Sequence, residues 1–111
     1  MNRLHEDKLA PIVIDLDVNK NQINESFLAQ FGTAIELILK RMFGLNGLNF
    51  NVRGTRSNIR DFTDAVAKES IHMKALLRHG LDNPSAFRTK TDLERAIRKF
   101  ETSTGIKWPL R

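Results

Sequence analysis

One segment of the sequence is more apolar than a single surface helix of a small domain needs to be. Between residues 24 and 43, apolar side chains recur at steps of three and four residues, the spacing of one helical face: Phe27, Phe31, Ala34, Ile35, Ile38 and Met42. Further apolar residues widen this face or fall on the far side of the helix: Leu28, Leu37, Leu39 and Phe43. A chain of 111 residues has a limited interior. The excess therefore predicts contact with a second protein surface, with an interface at Phe27, Leu28, Phe31, Leu37, Leu39 and Phe43.

The other patterns predict an α+β fold dominated by three helices, in the order strand, helix, strand, helix, helix. Alternating apolar residues over 12–18 and 48–53 predict two short strands. These strands either pair in parallel around the first helix, or the second strand pairs locally across the Asn46-Gly47 turn. A second helix is expected over 57–79, with Thr55 or Ser57 as its N-cap and Gly80 at its end.

The third helix is predicted to begin at Thr91, because Thr91 and Glu94 have the spacing of a capping box. Asn83-Pro84 predicts a separate short helical start before it, so more than ten residues would connect the second and third helices. The predicted buried stripes are Ile59, Phe62, Val66, Ser70, Met73 and Leu77 on the second helix, and Leu93, Ala96, Ile97 and Phe100 on the third. We expect one domain over 12–105, preceded by an arm at 1–11 and followed by a tail at 106–111.

Positive charge is concentrated in the second half of the chain. Residues 1–50 carry a net charge of −1 and residues 51–111 a net charge of +6. At the start of the second helix, where free N–H groups favour anions, we predict an anion or phosphate site formed by Arg53, Arg56, Ser57 and Arg60. The same side chains could instead extend into solvent or pair with Asp61 and Asp64. A basic patch is predicted around the third helix, at Arg88, Lys90, Arg95, Arg98 and Lys99.

Trp108 is the sole tryptophan. It either folds back onto the domain or inserts into a neighbouring protein, as interface tryptophans do.

The sequence contains no motif that fixes a reaction, so we predict no enzymatic activity, no cofactor and no metal site. Cysteine is absent, which excludes thiolate chemistry and disulfides. The first residues lack an apolar signal core, and no segment has the length of a membrane span, so we expect a cytoplasmic or virion-associated protein that is not secreted through a signal peptide. The pair Asp15 and Asp17 could hold magnesium. An enzyme built on this pair ranks third among the functions considered.

Two segments, INESFLAQFGTAIELILKRMFG and TGIKWP, resemble short uncharacterised proteins of tailed bacteriophages. The resemblance implies a virion or assembly component and transfers no site residues. The leading prediction is therefore a non-enzymatic structural or assembly protein that oligomerises or docks on a larger protein partner. The alternative is a nucleic-acid-associated protein whose basic half contacts backbone phosphates without reading sequence.

Overall fold

The computed structural model describes residues 12–43 and 50–110. The predicted N-terminal arm and the Asn46-Gly47 turn lie outside these ranges, and the side chains of residues 41–43 and 50 are likewise outside the description. The elements are β1 (Ile12–Asp15), a short 3-10 helix (Lys20–Gln22), α1 (Glu25–Phe43), β2 (Phe50–Arg53), α2 (Arg56–His79) and α3 (Pro84–Thr104). Over the described residues, these elements confirm the helix-dominated α+β fold and its predicted order.

The two strands pair in parallel, with Ile12 opposite Phe50 and Asp15 opposite Arg53. Parallel strands need a crossover connection, and α1 lies within it, so the parallel alternative is the pairing that the described residues show. β1 ends at Asp15 rather than at the predicted Val18. The Asp15 side chain accepts a hydrogen bond from the backbone N–H of Asp17 at 3.0 Å, a turn-like contact that competes with further strand pairing.

Polar side chains and glycines define the helix ends. Asn24 caps α1 by accepting the backbone N–H of Phe27 at 2.9 Å. Thr55, not Ser57, caps α2, because its hydroxyl accepts the backbone N–H of Asn58 at 3.1 Å. Gly80 and Gly105 follow α2 and α3 with φ of 84° and 77°, a backbone region that glycine enters at little cost.

The predicted start of the third helix is wrong. α3 begins at Pro84, and Asn83 caps it by accepting the backbone N–H of Ser85 at 2.8 Å. Thr91 lies inside the helix, where its hydroxyl donates to the carbonyl of Phe87 at 3.1 Å. Proline suits the first helical turn because its missing N–H would have no partner there. Residues 80–83 therefore connect α2 directly to α3, and the two helices form one helical hairpin.

Four aromatic rings at the centre of the core join the three helices and the end of the chain. They are Phe31 of α1, Phe62 of α2, Phe100 of α3 and Trp108, with neighbouring ring centroids 5.4–6.3 Å apart. Ile106 and Trp108 are buried, so the predicted tail packs into the same core as the helices. Edge-to-face and offset contacts at these separations are favourable beyond the apolar area that they bury.

The predicted stripe of α3 is buried throughout, but the stripe of α2 is not. Along α2, Ser70 is buried, Met73 is half-buried, and Leu77 is 82% exposed. Helical spacing alone placed Leu77 in the core, whereas the core does not extend to the turn end of the hairpin. Leu77 is therefore a surface residue.

Candidate interaction surfaces

Most of the apolar face of α1 is used by the chain's own core. Phe31 and Leu39 are buried, and Phe27 and Leu28 are half-buried against the same cluster. Only Leu37, which is 40% exposed, extends well into solvent among the predicted interface residues whose side chains are described on this helix. Phe31 and Leu39 are thus core residues rather than open contacts, because both belong to the buried apolar cluster of the chain. The side chain of Phe43 lies outside the described residues.

Two hydrogen bonds from Trp108 hold the segment after α3 against the helical hairpin. Its indole Nε1–H donates to Glu69 Oε1 of α2 at 2.9 Å, and its backbone N–H donates to Glu101 Oε2 of α3 at 2.8 Å. Trp108 is 3% exposed, so it is not an open surface anchor in this conformation. Burial raises the pKa of the Glu69 carboxyl, although the Trp108 hydrogen bond and the nearby His72 act in the opposite direction.

An apolar groove of about 150 Å³ lies between β1 and α1. This β1–α1 groove is lined by Val13, Ile14, Asp15, Phe27, Gln30, Phe31 and Ala34. Two members of the predicted interface, Phe27 and Phe31, therefore contribute to it. Val13 stands at its rim with 58% of its surface exposed.

The outer edge of β1 adjoins this groove. Leu16 donates its backbone N–H to Arg53 of β2 at 2.7 Å, and backbone groups alternate in direction along a strand. The N–H and C=O groups of Val13 and Asp15 consequently point away from β2. In the part of the chain that the structure describes, no strand pairs with this outer edge.

A second apolar surface lies at the turn end of the hairpin. Leu77, Leu81 and Phe87 are 82%, 80% and 72% exposed, and we refer to these three residues as the hairpin tip. They come from the last turn of α2, the connection and the start of α3. Sequence periodicity missed this surface because it assigned Leu77 to the core.

The residues of the predicted anion site lie together at the junction of β2 and α2. Arg53 ends β2, and Arg56, Ser57 and Arg60 occupy the start of α2, all with exposed side chains. Asp15 lies opposite Arg53 in the sheet register, so a carboxylate shares this end of the sheet. Asp64 pairs with Lys68 at 3.0 Å. Anion binding at this junction stays a prediction.

The predicted basic patch is divided between two sides of α3. Arg88, Arg95 and Lys99 follow each other at seven- and four-residue steps along the exposed face, and Arg98 lies beside this row. Within the row, Arg95 makes a long contact of 3.5 Å with Asp92. Lys90 lies apart from them, at a pocket of about 300 Å³ that it shares with Glu69, His72, Leu93, Glu94, Ile97 and Leu110.

Two hydrogen bonds beside this pocket indicate the tautomer of a neutral His72 ring. The Thr89 hydroxyl donates to the carbonyl of Ala86 at 2.9 Å, so it accepts from His72 Nδ1 at 2.8 Å. A neutral His72 ring therefore carries its proton on Nδ1 and an acceptor lone pair on Nε2. In the sequence, the one-turn spacing of Glu69 and His72 is the signal that could have indicated this pocket.

Over residues 12–43 and 50–110, no three carboxylate or histidine side chains converge in a way that could hold a metal ion. None of the helices in those same ranges combines the length and the apolar character that a membrane span requires.

No protein-family model, curated protein or solved structure matches this chain. The fold and its surfaces therefore carry the functional argument by themselves.

Proposed function

We propose that this protein is a non-enzymatic assembly protein, which oligomerises or docks on a larger protein through the β1–α1 groove and the adjoining edge of β1. Among the residues that the structure describes, nothing covers the outer side of the parallel sheet, and this observation carries the proposal. Parallel sheets occur almost only with both faces covered, and a strand edge with free backbone groups pairs readily with another chain. Here the outward-facing Val13 is 58% exposed beside an apolar groove.

The exposed Leu37 on α1 also supports a protein contact. Its exposure leaves a bulky apolar side chain in solvent on a helix whose other large apolar residues are mostly covered. Single exposed leucines are common, so Leu37 supports the proposal only together with the groove. The resemblance of two segments to tailed-bacteriophage proteins makes a phage particle the setting that we propose for the assembly.

Sedimentation velocity over a wide range of protein concentrations tests the proposal. We expect the wild-type mass to rise with concentration and Val13→Lys to remain smaller, because lysine at a strand edge blocks pairing without preventing the strand. Ala29→Lys is the matched control, since Ala29 is exposed on α1 but does not line the groove. A wild-type protein that stays monomeric at every concentration contradicts self-assembly.

A second candidate, association with nucleic acid, is favoured by the row Arg88, Arg95 and Lys99 on the exposed face of α3. Such a row can neutralise backbone phosphates without reading bases. Replacing all three residues by glutamine is expected to weaken binding to a mixed-sequence oligonucleotide and to reduce the salt dependence by about one unit of slope per lost phosphate contact. No binding by the wild type at low salt eliminates this candidate.

A further inference from the structure

We propose that the pocket between α2 and α3 binds a primary alkylammonium group, with the Glu69 carboxylate as the main partner of its charge. This pocket is the one that Glu69, His72 and Lys90 line, and we call it the Glu69 pocket. It shares no lining residue with the β1–α1 groove, so this inference goes beyond the proposed assembly function and does not depend on it.

Within the described part of the chain, one oxygen of the Glu69 carboxylate has no partner. Glu69 is 6% exposed, and its Oε1 accepts the indole N–H of Trp108 at 2.9 Å. No basic side chain of the described residues forms an ion pair with this carboxylate. Burial raises its pKa, as expected for a carboxyl that lacks a close cation. A buried carboxylate gains strongly from a charged hydrogen-bond donor, and Oε2 has the capacity to accept one.

The other polar groups of the Glu69 pocket also favour a cation. Thr89 occupies Nδ1 of His72, so a ligand can engage this ring only through Nε2, which is an acceptor in the neutral form. Glu94 adds a second carboxylate from α3. Lys90 is the one lysine or arginine among the lining residues, and it is exposed, so its flexible stem allows the ammonium group to stay in water.

The apolar walls of the pocket favour a ligand with an alkyl body. Leu93 and Ile97 are buried, and Leu110 is half-buried. The volume of about 300 Å³ is about twice that of a cavity that holds benzene. A short alkyl chain that ends in an ammonium group matches these walls and the Glu69 carboxylate together. Free amines and lysine side chains of other proteins both have this chemistry.

The Trp108 indole N–H reports on this site. Trp108 is the sole tryptophan, and its indole donates to Glu69, so its resonance is unique and close to the expected ligand. The experiment follows this resonance and the backbone amides by NMR during titration with n-hexylamine at pH 8, where a primary amine is still protonated. Hexanoate reverses the charge, n-hexanol removes it, and ammonium chloride removes the alkyl chain. Nα-acetyl-lysine amide represents the side chain of a partner protein.

We expect saturable shifts with hexylamine, and binding that is weaker by about tenfold or more with hexanoate, hexanol and ammonium chloride. Glu69→Gln should weaken hexylamine binding by about tenfold or more, because it removes the buried charge but keeps an acceptor for Trp108. Lys90→Gln should strengthen binding, since it removes the competing cation. Glu36→Gln is the matched control and should change nothing, because Glu36 is exposed on α1 and does not line the pocket.

Four results would overturn the inference. Tighter binding of hexanoate would assign the pocket to an anion, and equal binding of hexanol would leave only the apolar walls in action. Unchanged affinity in Glu69→Gln would remove the carboxylate from the site, and the absence of hexylamine shifts in the pocket would remove the site itself. Tighter binding of the lysine amide than of hexylamine supports the site and identifies a partner protein as the source, whereas the reverse order supports a free amine. Assembly through the β1–α1 groove is tested separately by sedimentation.

Discussion

The hydrogen bond between Trp108 and Glu69 allows a quantitative test of how the end of the chain is held. The donor Nε1 and the acceptor Oε1 are 2.9 Å apart, and the two residues are 3% and 6% exposed. Glu69→Ala leaves the buried indole N–H without this acceptor, and an unsatisfied buried donor costs about 1–3 kcal/mol. Glu69→Gln keeps an acceptor oxygen on a side chain of the same length. We therefore expect the alanine variant to lose at least that much free energy of unfolding and the glutamine variant to lose little or none.

The pH dependence of the free energy of unfolding tests the role of Glu69 in a second, independent way. Burial raises the pKa of Glu69 above its ordinary value of 4.5. The folded protein then binds this proton more tightly than the unfolded chain does, so the favourable contribution is present at low pH and is lost as the pH rises from 4.5 through the folded pKa. Glutamine has no proton to lose. The stability of Glu69→Gln relative to the wild type should therefore increase over this window, and at neutral pH it should equal or exceed that of the wild type.

Urea unfolding at pH 4.5 and pH 7 measures both effects, with circular dichroism as the probe common to all variants. Trp108→Phe removes the donor and completes a double-mutant cycle with Glu69→Gln and Glu69→Ala. An alanine variant as stable as the glutamine variant at pH 7 would refute the energetic role of the hydrogen bond. A glutamine variant whose stability follows the pH in the same way as the wild type would refute the raised pKa of Glu69.

Three further predictions test the corrected fold by the free energy of unfolding. Thr55→Ala should cost about 1 kcal/mol because it removes an N-cap, whereas Thr91→Ala, inside α3, should leave stability unchanged or slightly raised. Equal losses at both positions would contradict the observed start of α3. Gly54→Ala should cost more than about 1 kcal/mol, because φ is 151° and an added Cβ would lie 3.1 Å from Leu16 Cβ; a neutral result in thermal denaturation would argue against this close approach. Leu77→Ala should change stability by less than about 0.5 kcal/mol, whereas Leu93→Ala should cost about 2–5 kcal/mol. A large loss of unfolding free energy in Leu77→Ala would indicate that Leu77 is a core residue after all.

Local signals in the sequence predicted the fold class and most helix ends. The side-chain oxygen of Thr55 and the glycine at position 80 act on their immediate neighbours, so their effect can be inferred from a few residues. The start of α3 was misplaced because two local signals competed. The Thr91–Glu94 capping box and the Asn83-Pro84 start both fit a helix N-terminus. Neither motif by itself shows at which of the two the helix begins.

The candidate surfaces depended on contacts that periodicity cannot reveal. Helical spacing identifies which residues share a face, but it does not tell whether another element covers that face. It therefore treated Phe31, buried against four other rings, in the same way as the exposed Leu37, and it placed Leu77 in a core that ends before the last turn of α2. The pocket of Glu69 and His72 was missed for a related reason, since Lys90 and Glu94 reach it from the opposite helix.

The most apolar segment of the chain is consequently not its most exposed surface. α1 carries the longest apolar pattern, but most of these side chains are buried, and Phe31 packs against rings of the hairpin and against Trp108. Within residues 12–43 and 50–110, the bulky apolar side chains with more than half of their surface exposed lie at the outer side of β1 and at the turn end of the hairpin. For that reason the assembly contact that we propose is centred on the β1–α1 groove and not on the exposed side of α1.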